Sequence, residues 1–212
     1  MECIILVGGK GTRLGMNIPK ALVKINDKTI IDYRIKHLKK MGITRFILAV
    51  GFKKKKIKEY LEGKYDDVDI VYADENENKL LGTAGAIKNA LQYVYDDDVF
   101  VTNVDDITDI DIKKLKNIGS NTICLANFRS PYGIVETTGN WVSGFKEKPV
   151  LNNLWASCGF YYLNKYNIEF PEEGSIEYDI FPYINLKCHK HKGEWVTVNT
   201  LKDIEEAKQC LK

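Results

Sequence analysis

The chain has 212 residues, 44% of them hydrophobic and 28% charged, with a formal net charge of +2. That length suits one substantial core, and the composition excludes a disordered or repetitive chain. Near-balanced charge argues against a protein built to hold a polyanion such as nucleic acid.

The first apolar run, residues 3–7, stops at Gly8-Gly9 and reads as a buried strand feeding a loop. Ile31, Ile35, Leu38 and Met41 recur at helical spacing until Gly42 ends the pattern. Residues 46–50 read as a second strand, and Ile57, Tyr60 and Leu61 as a lysine-rich helix closed by Gly63. Residues 68–72 are strand-like, 84–94 helical, and 99–104 again a buried strand. This alternation predicts a parallel sheet with right-handed crossovers. Short strands at 122–126, 133–137, 141–145 and 159–163 then predict an antiparallel or mixed extension of that sheet. A strand near 195–198 leads into a last helix with Ile204, Ala207 and Leu211 on one face. The expected fold is a Rossmann-like, three-layer α/β/α unit with a mixed, mainly parallel central sheet, forming one catalytic domain over 1–212.

No apolar run approaches the roughly eighteen residues of a membrane span, and no basic cluster precedes the first one, so no membrane partner and no secretory leader are expected. Cys3, Cys124, Cys158, Cys188 and Cys210 form no CxxC pair and read as small buried hydrophobes in a reducing cytoplasm. Among 31 basic residues only Arg13, Arg34, Arg45 and Arg129 are arginine.

Gly8-Gly9-Lys10-Gly11-Thr12-Arg13-Leu14 follows the first strand, at the sheet edge where α/β proteins bind ligands. Glycines let backbone amides approach phosphate oxygens, and Lys10 and Arg13 add positive charge. The loop is neither a Walker loop, since Thr12-Arg13 follows Gly11, nor a dinucleotide fingerprint, since Leu14 replaces the third glycine. Lys20, after Pro19, is placed to neutralise phosphate as a point charge.

This loop, with Pro19-Lys20 and Ile31-Asp32-Tyr33, resembles the N-terminal signature of the sugar-1-phosphate nucleotidylyltransferases. Leu81-Gly82-Thr83-Ala84-Gly85-Ala86 is similar to that family's second nucleotide-binding segment. Tyr132-Gly133-Ile134-Val135-Glu136 and Phe145-Lys146-Glu147-Lys148-Pro149 match its sugar-side motifs, in order and over nearly the whole chain. The resemblance implies transfer of a nucleotidyl group from a nucleoside triphosphate to a sugar 1-phosphate, releasing pyrophosphate. It assigns Gly8 and Gly9 to the base and ribose side, Gly11, Thr12 and Arg13 to the β- and γ-phosphates, and Gly82 and Thr83 to closure over the base. Lys20 would meet the developing charge, Gly133 and Glu147 would hold the sugar, and Lys148 its phosphate. Arg13, Lys20 and Lys148 are thus the catalytic cations. The Gly8-Gly9 pair and the Leu81–Gly85 segment look most like the guanylyltransferase branch, which includes mannose- and heptose-phosphate enzymes, so GTP is the favoured donor.

The resemblance also implies Mg2+. Asp105, at the end of the strand 99–104, matches the family's metal-binding acid, with Asp106 as rival, because adjacent residues at a strand end point oppositely. For the second ligand, strict alignment places Thr197 on the family's aspartate, whereas Val198-Asn199 suits the branch that uses asparagine, and Asn199 is favoured. Val104, Thr197 and Ser157 depart from the family pattern and keep open a non-catalytic assembly protein on the same fold; a further alternative keeps the chemistry but changes the acceptor, with cytidylyl or uridylyl transfer to a phosphorylated group such as phosphocholine. Lys53 to Lys56 read as a solvated helix face, Cys188 to His191 as an exposed edge strand, His37 as solvent-facing, and the pattern leaves room for a homo-oligomer.

Overall fold

The computed structural model describes residues 1–11 and 14–210. Strands β1 (Glu2–Leu6), β4 (Arg45–Val50), β5 (Asp69–Asp74) and β6 (Asp98–Asn103) alternate with helices α1 (Ile30–Lys40), α2 (Lys54–Leu61) and α3 (Gly82–Leu91). Between β1 and α1 lie a 3-10 turn, Lys20–Leu22, and the small pair β2 (Lys24–Ile25) and β3 (Lys28–Thr29). Beyond β6 come β7 (Asp106–Thr108), α4 (Ile112–Ile118), β8 (Thr122–Arg129), β9 (Ile134–Thr138), β10 (Trp141–Lys146) and β11 (Val150–Asn164). The chain continues through α5 (Ile176–Asp179), β12 (Lys187–His191), β13 (Trp195–Thr197) and α6 (Leu201–Cys210).

Seven strands form the main sheet in the order β12-β8-β11-β6-β1-β4-β5. Each neighbouring pair is parallel except that β11 runs against both β6 and β8. Strand alternation sends successive side chains into opposite layers. Cys3, Ile5, Phe46, Leu48 and Phe100 pack with Ile31, Ile35, Leu38, Ile57 and Leu115 on one face. Ile4, Ile47, Val101 and Tyr161 pack with Ala84, Ile87, Ala90 and Ile176 on the other. The mixed, mainly parallel three-layer architecture is therefore the expected one.

Helix α1 starts at a capping box, in which Thr29 Oγ1 accepts from Asp32 N at 3.3 Å and Asp32 accepts from Thr29 N at 3.2 Å. The buried Asp32 carboxylate also accepts from Tyr60 (2.5 Å), Tyr65 (2.6 Å) and Lys64 (3.0 Å). Burial alone would raise its pKa, but these donors together hold it well below the usual carboxylate range.

Several elements differ from expectation. Strands β9 and β10 do not extend the main sheet but form their own two-stranded ribbon, turning through Gly139-Asn140. Strand β11 runs for 15 residues, although only 159–163 are strand-like in sequence. Pairing with β8 carries it through Asn152-Asn153 and past irregularities at Leu151/Trp155 and Ser157/Tyr161. Helix α4 was not expected, its N-cap Asp111 being hidden in an acidic stretch. His37 is not solvent-facing but half-buried, with Nε2 2.9 Å from the Ile110 carbonyl. Cys3, Cys124 and Cys158 are buried as expected, whereas Cys188 is exposed on β12, an edge strand as expected. Leu211 lies outside the described residues.

Candidate active site

Strand order reverses at β1: α1 and α2 carry the chain outward to β4 and β5, and α3 returns it to β6 on β1's other side. Such a switch point opens a crevice at the carboxyl ends of the strands. A cavity of about 450 Å³ lies there, lined by Leu6, Val7, Gly8, Gly9, Gly11 and Lys20 from the N-terminal region, Ala49, Glu75, Leu80, Gly82, Thr83 and Ala86 from β4 through α3, and Asn103, Val104, Asp105 and Asn199. Thus Gly8, Gly9, Gly11, Lys20, Gly82, Thr83, Asp105 and Asn199, spread over the whole chain, line one cavity. Thr12 and Arg13 lie outside the described residues.

The most polar end of the cavity is built around Lys20. Its ammonium pairs with Asp105 Oδ2 and donates to Asn199 Oδ1 at 2.8 Å. Lys20 and Asp105 are 13% and 23% exposed, so this pair is partly withdrawn from solvent. The Asn199 amide is oriented from behind, because its Nδ2 donates to Thr197 Oγ1 at 2.9 Å. The turn is then locked by Asp203, which accepts from Asn199 N (2.7 Å) and Thr200 N (2.8 Å) at the start of α6. Asn199 and Thr197, the rival readings for one position, therefore occupy different places: the amide oxygen faces the cavity and the threonine supports the amide.

Asp106 turns the other way. It is 6% exposed and accepts from Trp195 Nε1 at 2.9 Å and Asn103 Nδ2 at 3.2 Å. Burial, reinforced by the charge of Asp105, pushes its carboxyl up to about 6. Beneath lies Arg34, also buried, with Nη2 lacking a hydrogen-bond partner. Burial lowers the guanidinium's pKa, and Asp106 is the first of the charges that oppose this. Val104, where the family pattern has glycine, is 5% exposed and packs in the core under the loop.

At the Gly82–Thr83 side of the cavity two chain segments meet. A Cβ on Gly82, whose φ is +74°, would fall 2.3 Å from the Gly174 carbonyl oxygen, and one on Gly85 would fall 2.3 Å from that of Glu172. Both glycines therefore admit the segment 172–174 against α3. The Thr83 hydroxyl is committed to the same contact, donating to Glu177 Oε2 at 2.9 Å and accepting from Ile176 N at 2.8 Å. Glu75 also lines the cavity here, a residue that no sequence motif singled out. Its position after the apolar strand β5 was the available signal.

Gly133, Glu147 and Lys148 do not line this cavity. A Cβ on Gly133 would meet Phe145 Cζ at 2.5 Å and Glu147 Oε2 at 3.0 Å, so these motifs pack on each other at the base of the ribbon. Lys148 adopts a left-handed conformation, φ +43°.

Two oxygens from Asp105 and Asn199 converging on one ammonium make a hard-donor set in which a cation is already seated, and such a set suits a divalent metal. Among the described residues no cluster of three or more His, Cys, Asp or Glu side chains is placed to hold a metal by protein ligands alone. No helix of the described residues is long and apolar enough to cross a membrane.

Residues 2–210 match the family model described as nucleotidyl transferase. The chain is 40% identical over 173 residues, 78% of its length and 76% of the relative's, to the D-glycero-alpha-D-manno-heptose 1-phosphate guanylyltransferase of Campylobacter jejuni. It is 34% identical over 229 residues to the mannose-1-phosphate guanyltransferase of Kluyveromyces lactis, with 96% of this chain aligned but only 62% of that protein. Among solved structures, HddC from Yersinia pseudotuberculosis complexed with GMP-PN superposes with a TM-score of 0.80 at 26% identity, covering 100% of this chain and 99% of that one.

Proposed function

The chain belongs to the nucleotidyl transferase family, and on that premise we propose that it transfers a guanylyl group from GTP to a sugar 1-phosphate of manno configuration, a hexose or heptose, in the cytoplasm. Residues 1–212 act as one catalytic unit. The observation that carries this reading is the convergence of Asp105 and Asn199 on Lys20 at one end of a glycine-lined cavity, in a chain similar to guanylyltransferases.

The chemistry asks little of acid–base groups. An oxygen of the sugar phosphate, already anionic, attacks the α-phosphorus; the new O–P bond forms as the bond to the β-phosphate oxygen breaks, and pyrophosphate leaves with the electron pair. The task is to bring anions together and stabilise charge as it moves. Gly8, Gly9 and Gly11 offer backbone to the nucleotide, and Arg13 with Thr12 holds its outer phosphates. Lys20 neutralises charge at the reacting phosphate, while Lys148 and Glu147 hold the sugar phosphate from the ribbon side. Asp105 and Asn199 would hold Mg2+, which when bound supplies charge compensation between the phosphates. Lys20 must then release these oxygens and turn its ammonium to the substrate.

The deciding experiment is pyrophosphate release across four nucleoside triphosphates and a panel of sugar 1-phosphates. GTP with a mannose or manno-heptose 1-phosphate is the expected active pair. Turnover with a pyrimidine nucleotide in preference to GTP would sink the guanylyl reading, and activity with no pair would sink the enzyme.

A further inference from the structure

The turn that leads into α2 carries a residue that suits neither its backbone nor its helix. Lys53 sits at φ +51°, in the left-handed region that favours glycine or asparagine. It is also the N-cap of α2, where its side chain makes no capping hydrogen bond and asparagine would serve better. With Lys54, Lys55 and Lys56 it lines up cations at the positive end of the helix. Lys55 and Lys56 are exposed as expected, but Lys53 is partly buried and its ammonium is committed elsewhere. It donates to the Asn17 carbonyl at 2.7 Å and also to Asn17 Oδ1. The backbone of the same turn holds the start of the glycine loop, since Phe52 N donates to the Gly8 carbonyl at 3.0 Å. Gly51 permits this approach: a Cβ there would lie 3.1 Å from the Gly8 carbonyl oxygen and 3.3 Å from its Cα. One turn thus fastens the chain at Gly8 and again at Asn17, three residues before Lys20. Pro19 is buried and its ring fixes φ, so the link from Asn17 to Lys20 has little slack. Backbone strain kept for the sake of a long-range contact is characteristic of functional sites.

We propose that Lys53 is a positioning residue for the transfer reaction. By clamping Asn17 it fixes the entry to the Lys20–Leu22 turn, and with it the direction from which the Lys20 ammonium reaches the reacting phosphate. This deepens the nucleotidyl-transfer reading above and rests on it, though not on the choice of base. The effect is preorganisation. Lys20 has to leave the Asp105 and Asn199 oxygens and be held at phosphate, and a main chain free to shift would have to be ordered during the reaction itself. Lys53 acts on Lys20 only through the intervening chain, so its loss slows turnover without altering how the sugar 1-phosphate is held.

The test uses Lys53→Asn, which suits both the left-handed backbone and the N-cap but carries no ammonium, and Lys53→Arg, which keeps a cation able to reach both Asn17 oxygens. Pyrophosphate release is followed with the nucleoside triphosphate and sugar 1-phosphate that the wild type uses best, alongside thermal melts. Lys53→Asn should melt no lower than the wild type while kcat falls roughly tenfold, the worth of a hydrogen bond from a charged donor. KM for the sugar 1-phosphate should stay within about twofold, and Lys53→Arg should recover most of the lost kcat. A second measurement needs no turnover. Leu22 N and Val23 N donate to the Pro19 and Lys20 carbonyls at 2.9 and 3.1 Å, and in nucleotide-free Lys53→Asn their hydrogen exchange should quicken while α1 stays protected. Normal kcat in Lys53→Asn, or unchanged exchange at those two amides, overturns the proposal. So does a kcat loss that tracks a fall in Tm and that arginine does not restore, because the residue is then merely structural. A wild type that releases pyrophosphate with no substrate pair overturns the transfer reading instead, and the exchange measurement still decides whether the clamp orders the turn.

Discussion

Lys20 is asked to do two things that cannot be simultaneous: hold the Asp105 and Asn199 oxygens, and neutralise phosphate. Replacing it by methionine preserves the length of the stem but removes the ammonium, and the two consequences have opposite signs. Charges about 4 Å apart at an effective dielectric of ~20 attract by about 4 kcal/mol. With Lys20 and Asp105 13% and 23% exposed, solvent reduces the net value to about 1–2 kcal/mol. A divalent cation entering the wild-type site must displace this contact. Lys20→Met should therefore bind Mn2+, used as a probe of the Mg2+ site, roughly 5- to 30-fold more tightly, by electron paramagnetic resonance titration of the protein alone. Turnover should fall by about 10²- to 10³-fold, because a cation preorganised for the moving charge is lost. Unchanged metal affinity would refute the idea that the lysine stands where the metal goes. Near-normal turnover would refute its role in the chemistry.

Asp105→Ala should fold normally and abolish pyrophosphate release, whereas Asp106→Ala should fail differently. It leaves the Trp195 and Asn103 donors without their acceptor, costing about 1–3 kcal/mol for each group left unpaired and lowering Tm by roughly 5 °C or more in a thermal melt. Thr197→Val removes the acceptor that orients the Asn199 amide, so the Mg2+ concentration for half-maximal activity should rise several-fold while GTP affinity changes little; an unchanged metal requirement would show the support to be dispensable. Because the Asp32 carboxyl titrates below its ordinary value, its contribution to stability is complete above about pH 4 and is lost as pH falls toward the native pKa. Asp32→Asn should lower stability at neutral pH and flatten its acid dependence, followed by denaturant unfolding between pH 7 and 3.

The elements that were legible in sequence are those whose signal is local. Residues 3–7 and 99–104 are apolar runs buried on both faces, and α1 combines helical spacing with a Thr29–Asp32 cap. Strand β11 was only partly legible, because Asn152, Asn153 and Gly159 break its pattern and its extent depends on pairing with β8. In the site, the Gly8–Gly11 loop and the Gly82–Gly85 segment stood out through glycine spacing. The choice between Asp105 and Asp106 did not follow from composition, since it depends on Trp195 and Asn103 claiming Asp106. Glu75 was invisible for the same reason: one glutamate in an acidic, asparagine-rich stretch becomes distinctive only when burial has removed its solvent.

The three groups at the polar end of the cavity enter the chain far apart, with Lys20 and Asn199 separated by 179 positions. During synthesis β1 to β6 leave the ribosome while the C-terminal part is still inside it, because the N-terminal end is made first. A nascent chain at that stage would display the glycine loop, Glu75 and Asp105, but Lys20 would have only one of its two oxygens. Productive nucleotide capture thus waits for the last helix, and ligand binding in turn stabilises the docking of that helix by mass action. Loosening of α6 should consequently be the event that a bound nucleotide and metal suppress most strongly in hydrogen exchange.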